Sequence, residues 1–152
     1  MRIALAADHA GYDMKRDLAA ALRAQGHDVL DLGTDSSTTA VDYPDSAESV
    51  AAALRDRHAD RAILVCGSGA GVSIAANKFP GVRAAVCHDC YTAKQAVEHD
   101  DMNVLCLGAR VIGPALAADL VAAFLGATFS REDRHRRRVN KILTIEERFA
   151  RT

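Results

Sequence analysis

Five short apolar runs constrain this chain more than any other feature. They lie at residues 2–7, 27–32, 62–66, 83–87 and 103–107, and each is followed by a stretch with helical spacing. Runs of this length with little polar alternation suit strands buried on both faces, the habit of parallel sheets. The intervening stretches carry apolar stripes: Met14, Leu18, Ala21 and Leu22; Ala47, Val50, Ala51 and Leu54; Ala93, Ala96 and Val97; Leu116, Leu120, Val121 and Phe124. Gly26 and Gly126 stand where helices stop, Pro44 where one starts, and Pro80-Gly81 breaks the chain. The alternation predicts an α/β fold in a single domain over residues 1–152, a three-layer Rossmann-like arrangement around a five-stranded parallel sheet. If Asp8 and Cys66 share a pocket, the first and third strands are neighbours, and the flavodoxin-like order 2-1-3-4-5 follows. A last helix over residues 131–151, with Val139, Ile142, Leu143 and Phe149 apolar, has no strand left to cover. Its stripe is expected to pack on a second copy of the chain.

Composition narrows the function. Hydrophobic residues make up 49% of the chain, enough for a real core, and the net charge of −1 provides no global field for nucleic acid or a membrane surface. No apolar run approaches the roughly 18 residues of a membrane span, and the N-terminal run is too short for a signal peptide. Four cysteines without a secretory signal point to free thiols in a reducing cytoplasm.

The most suggestive stretch is Cys66-Gly67-Ser68-Gly69-Ala70-Gly71-Val72-Ser73, where the third apolar run meets the next helix. Glycines let a ligand approach the backbone, and a helix start aims unpaired N–H groups at one point. Such a turn can hold a phosphate or a developing oxyanion, with Cys66 as a thiol at its lip. The competing reading is a loop of small residues beside an inert, buried cysteine. The stretch lacks the GK[ST] of a P-loop and departs from the dinucleotide fingerprint.

Other groups carry two readings each. Asp8-His9 after the first strand is a sugar or anion contact, or a cap and a surface histidine. His99 is an acid–base group, or a dipole partner at a helix end. Arg131, Arg134, Arg136, Arg137, Arg138 and Lys141 form a basic cluster with His135. Arg134 and Arg138, one turn apart, can grip a phosphate, whereas a solvated face or a nucleic-acid patch are the other readings. Cys87-His88-Asp89-Cys90 is a CxxC that raises a redox role, but nothing else in the chain completes a redox or zinc site.

Taken together, these residues resemble the B-type ribose-5-phosphate isomerases, in the family that includes the galactose-6-phosphate isomerase subunits. The resemblance runs through Ala7-Asp8-His9-Ala10-Gly11, Asp42-Tyr43-Pro44, the glycine stretch to Asn77-Lys78, Glu98-His99, Asn103-Val104-Leu105, Gly108-Ala109-Arg110-Val111-Ile112-Gly113 and Arg134-His135-Arg136-Arg137-Arg138. It implies a homodimer or homotetramer whose active sites are shared between subunits. It implies interconversion of an aldose phosphate and a ketose phosphate, here ribose 5-phosphate and ribulose 5-phosphate, through a cis-enediolate and without a metal or other cofactor. On this resemblance Cys66 moves the proton between C1 and C2, and Gly67, Gly69, Ala70 and Gly71 form the anion hole. Ser68 relays a proton and His99 opens the sugar ring. Asp8 and Tyr43 contact the sugar, and His9, Arg110, Arg134 and Arg138 hold the phosphate. Two departures stand out. Asp100 replaces the usual Asn after the ring-opening histidine, which opens the way to a four- or six-carbon sugar phosphate. Ser73 stands where some members carry a glutamate base. A non-catalytic phosphosugar-binding protein on the same fold is the remaining alternative.

Overall fold

The computed structural model describes residues 1–150, so Arg151, the expected end of the last helix, lies outside the described residues. The strands are β1 (Arg2–Ala7), β2 (Asp28–Asp31), β3 (Arg61–Cys66), β4 (Ala84–Val86) and β5 (Val104–Gly108). The helices are α1 (Tyr12–Ala24), α2 (Tyr43–Arg55), α3 (Ala70–Ala76), α4 (Cys90–Asp100), α5 (Pro114–Gly126) and α6 (Asp133–Ala150). All strand pairs are parallel. Alternate residues of the central strands enter two cores. Ile3, Leu5, Ile63, Val65, Leu105 and Leu107 face α1, α4 and α5, whereas Ala4, Ala6, Ala62, Leu64, Val104 and Cys106 face α2 and α3. The expected three-layer α/β fold is the one observed.

The strand order is 2-1-3-5-4, not 2-1-3-4-5. Burial explains the exchange. All five residues of β5 are buried, as an interior strand requires, whereas the three residues of β4 are half-buried, as suits a short edge. Three expected stripes also shift. In α1 the inward alanine is Ala19 and Ala21 is exposed, and in α5 the inward residue is Ala117 and Leu116 is exposed. In α6 only His135 and Val139 are buried, and Ile142, Ile145 and Phe149 are exposed.

Candidate active site

Three loops meet at the carboxyl ends of β1, β3 and β5. Cys66 ends β3 opposite Gly108 of β5, and the Asp8 N–H donates to Val65 O at 3.3 Å. The first and second loops touch because Gly11 has no side chain: a Cβ there would meet Val65 O at 2.4 Å. Gly11 then donates its N–H to Asp8 Oδ1 at 3.1 Å, which fixes a carboxylate that is 7% exposed.

The glycine turn is built onto the third loop. Ala109 N–H donates to Cys66 O and Arg110 N–H donates to Gly67 O, at 2.9 and 3.0 Å. A Cβ on Gly108 would lie 2.6 Å from the Ser68 backbone, so only glycine permits this approach. Gly69 adopts φ +83°, a left-handed conformation glycine tolerates, and its N–H donates to Cys66 Sγ at 3.1 Å. Ser68 is exposed, and its Oγ accepts from Ala70 N–H at 3.2 Å. Arg110 lies over Gly67, and the Tyr43 ring lies about 3 Å from where a Gly71 Cβ would stand. His9 Nδ1 accepts from Val41 N–H at 3.3 Å, so its Nε2 is the nitrogen left to donate.

These contacts bring together Asp8, His9, Tyr43, Cys66, Gly67, Ser68, Gly69, Ala70, Gly71 and Arg110. They do not bring in His99, Asp100, Arg134 or Arg138. Helix α4 runs back from the carboxyl end of β4, and its last turn, with His99 and Asp100, precedes the amino end of β5. Arg83 Nε donates to Asp101 O at 2.7 Å just before β4 begins, which marks the same end of the sheet. Four residue steps of β5 separate that level from Cys66, about 13 Å along the strand. Ser130 N–H donates to Glu98 O, and the His99 and His135 rings stack at 3.9 Å, so the start of α6 joins this second cluster. Arg134 is held by Glu132 at 3.0 Å, and Arg138 is exposed one turn further along. Asp100 helps line a cavity of about 410 Å³ with Arg83, Met102, Ile142 and Ile145.

Three residues with structural leverage went unassigned at the sequence level. His88 Nε2 accepts from Gly108 N–H at 3.1 Å and so holds the strand end against which the glycine turn rests. Its place at a carboxyl end was the available signal. Lys15 is 3% exposed; its Nζ donates to Leu32 O and Thr34 O and pairs with Asp31 at 2.7 Å, tying down the loop that leads to His9 and Tyr43. His135, counted among basic surface residues, is 1% exposed. The CxxC cysteines differ sharply: Cys90 is exposed, whereas burial, with help from Asp89, pushes the Cys87 thiol up to about 11. Neither is in a disulfide.

Comparison with known proteins bears on the chemistry of this arrangement. A family model described as Ribose/Galactose Isomerase matches residues 3–142. The chain is 46% identical to ribose-5-phosphate isomerase B of Escherichia coli (strain K12) over 147 residues, covering 97% of each. It is 43% identical over 129 residues to a D-erythrulose-4-phosphate isomerase of Pectobacterium atrosepticum, covering 85% of each. Its coordinates match those of Clostridium thermocellum ribose-5-phosphate isomerase B with a TM-score of 0.95 at 47% identity, covering 98% of this chain and 99% of that one.

Proposed function

Given that the chain belongs to the ribose/galactose isomerase family and is a sugar-phosphate isomerase, we propose that it interconverts ribose 5-phosphate and ribulose 5-phosphate, with Cys66 as the base. Starting from the aldose, the sulfur takes the hydrogen from C2. The electron pair forms the C1–C2 double bond, and the carbonyl oxygen on C1 becomes the enediolate oxygen. Amides of the turn from Gly67 to Gly71 hold that charge. The hydroxyl proton on the C2 oxygen passes to the C1 oxygen, with Ser68 as relay, and C1 recovers its hydrogen from the Cys66 thiol. No net oxidant or reductant is needed. The observation that carries the reading is the Gly69 N–H on Cys66 Sγ at 3.1 Å, in a turn flanked by Asp8, Tyr43 and Arg110.

His99 opens the furanose ring, and Arg134 and Arg138 hold the phosphate with His9 and Arg110. Because His99 and the two α6 arginines lie at the far end of their own sheet, each site takes them from a second copy. The enzyme is therefore a homodimer, or a homotetramer built from two such dimers. The exposed Ile142 and Ile145 of α6 supply apolar surface for that contact. No helix among the described residues is long and apolar enough to cross a membrane, and the free cysteines fit a cytoplasmic setting.

Incubation with ribose 5-phosphate in deuterated water tests the proton transfer. Deuterium at C1 of the ribulose 5-phosphate is expected, because the thiol exchanges with solvent. Cys66→Ala should lose turnover by about a thousandfold or more while still binding the sugar phosphate. Turnover that survives this substitution would remove Cys66 from the mechanism. A second reading, a four-carbon sugar phosphate, is favoured by Asp100 and by the similarity to the Pectobacterium enzyme. A substrate panel on the wild type and on Asp100→Asn separates the two.

A further inference from the structure

The α4–α6 contact holds an arrangement that stability does not account for. His135 is 1% exposed, and its Nδ1 lies 2.6 Å from Ser130 Oγ. Its Nε2 is buried without a hydrogen-bond partner. A buried polar atom left unpaired costs roughly 1–3 kcal/mol, so an apolar side chain of similar size would be the more stable choice. The ring instead lies face to face with His99, centroids 3.9 Å apart and planes 24° from parallel. The other side of the arrangement is also fixed. Gln95 Nε2 lies 3.1 Å from His99 Nδ1, and an amide N–H there makes Nδ1 the acceptor and leaves the ring proton on Nε2.

We propose that His135 is the positioning residue for His99, a flat buried platform that, with Gln95, holds the ring-opening imidazole in one plane with Nε2 presented to the sugar. The proposal rests on the assignment of ring opening to His99 made above. Ser130 anchors the platform from behind: its Oγ meets His135, and its N–H donates to Glu98 O at 2.9 Å, one residue from His99. A platform of this kind must not compete as a cation. Burial first, and then His99 and Arg134, push the His135 imidazole below its ordinary range; Glu132 opposes them, and Arg138 adds the least.

The test compares His135→Leu and His135→Phe in the full-length enzyme, with ribose 5-phosphate as substrate. Both fill the buried volume and both remove the unpaired nitrogen, but only Phe offers a flat face. His135→Leu is expected to lower kcat about tenfold or more with KM within about twofold, and His135→Phe to recover most of that loss. Thermal melting should show both variants at least as stable as the wild type. Equal kcat in Leu, Phe and wild-type proteins would overturn the proposal, as would equal loss in both variants. His99→Asn, measured alongside, keeps the two ideas apart. Full activity in His99→Asn ends the ring-opening assignment itself, whereas a dead His99→Asn beside an unaffected His135→Leu ends the positioning role alone.

Discussion

At the scale of single residues, the thiols and glycines divide by what surrounds them. Cys87 is held in the apolar core with its thiol pushed up to about 11, and burial pushes Cys106 up as well. Neither environment favours a thiolate, and Cys90 sits exposed at the start of α4. Cys90→Ser is therefore expected to leave turnover within about twofold, and Cys87→Ser to leave kcat similar while lowering stability by roughly 1–2 kcal/mol for a hydroxyl placed in the core. Steady-state assays and urea melts on the two variants check this; loss of kcat in Cys90→Ser would revive the redox reading of the CxxC. Gly108→Ala should act differently. Its Cβ would press on the Ser68 backbone at 2.6 Å, so about 1–3 kcal/mol of stability and most of the activity should go together. The glycine turn itself was legible in the sequence as a loop between strand and helix; its use as an anion hole was not, because loops of small residues share that pattern. Gly108 entered only as part of a motif with Arg110, since its neighbour Ser68 comes from the turn after a different strand and no local pattern announces that approach.

At the scale of elements, periodicity located every strand and helix to within a few residues, because each buries its own stripe. It did not rank the last two strands. Residues 83–87 and 103–107 are both apolar runs, and pairing order is a property of the assembled sheet. Both runs are five residues long and each begins with a polar residue, as the interior strands β1 and β3 also do, so neither announces itself as the edge. The β1–β3 pair supports a pH prediction. Arg2 donates to Asp60, just before β3, at 2.6 Å, and this hydrogen bond, with the Arg2 backbone N–H, holds the Asp60 carboxyl below its ordinary range. A carboxyl with a depressed native pKa contributes stability that is present above its unfolded value, near pH 4, and is lost as pH falls. Both side chains are nearly half exposed, so the contribution is small and screened by salt. Asp60→Asn should melt lower than the wild type at neutral pH and low salt, and the gap should close on acidification. A gap that persists below about pH 3 would assign the loss to the backbone hydrogen bond instead.

At the scale of the whole molecule, the sheet separates the residues that the proposed chemistry requires together. The sequence resemblance pointed to shared sites, but chain order alone does not say which residues come from which copy. Direction does: crossover helices in a parallel sheet return to the amino ends, so anything on the last turn of α4 is carried away from Cys66. A consequence follows that no single-subunit site shares. Cys66→Ala and His99→Asn proteins, each inactive alone, should regain activity when unfolded together and refolded as a mixture. Random pairing makes half of the dimers mixed, and each mixed dimer has one site with both Cys66 and His99 intact, so recovery approaches about a quarter of wild-type turnover. The control mixes the double variant with wild type. There the mixed dimer has no intact pair, because each site lacks one member, and activity should fall to about a quarter of the wild-type value rather than to the half that independent sites predict. Complementation and this dominant loss together require that sulfur and imidazole come from different copies. A mixture of the two single variants that stays inactive, beside a half-active control, would place both groups in one subunit's site and contradict the separation that the parallel sheet imposes.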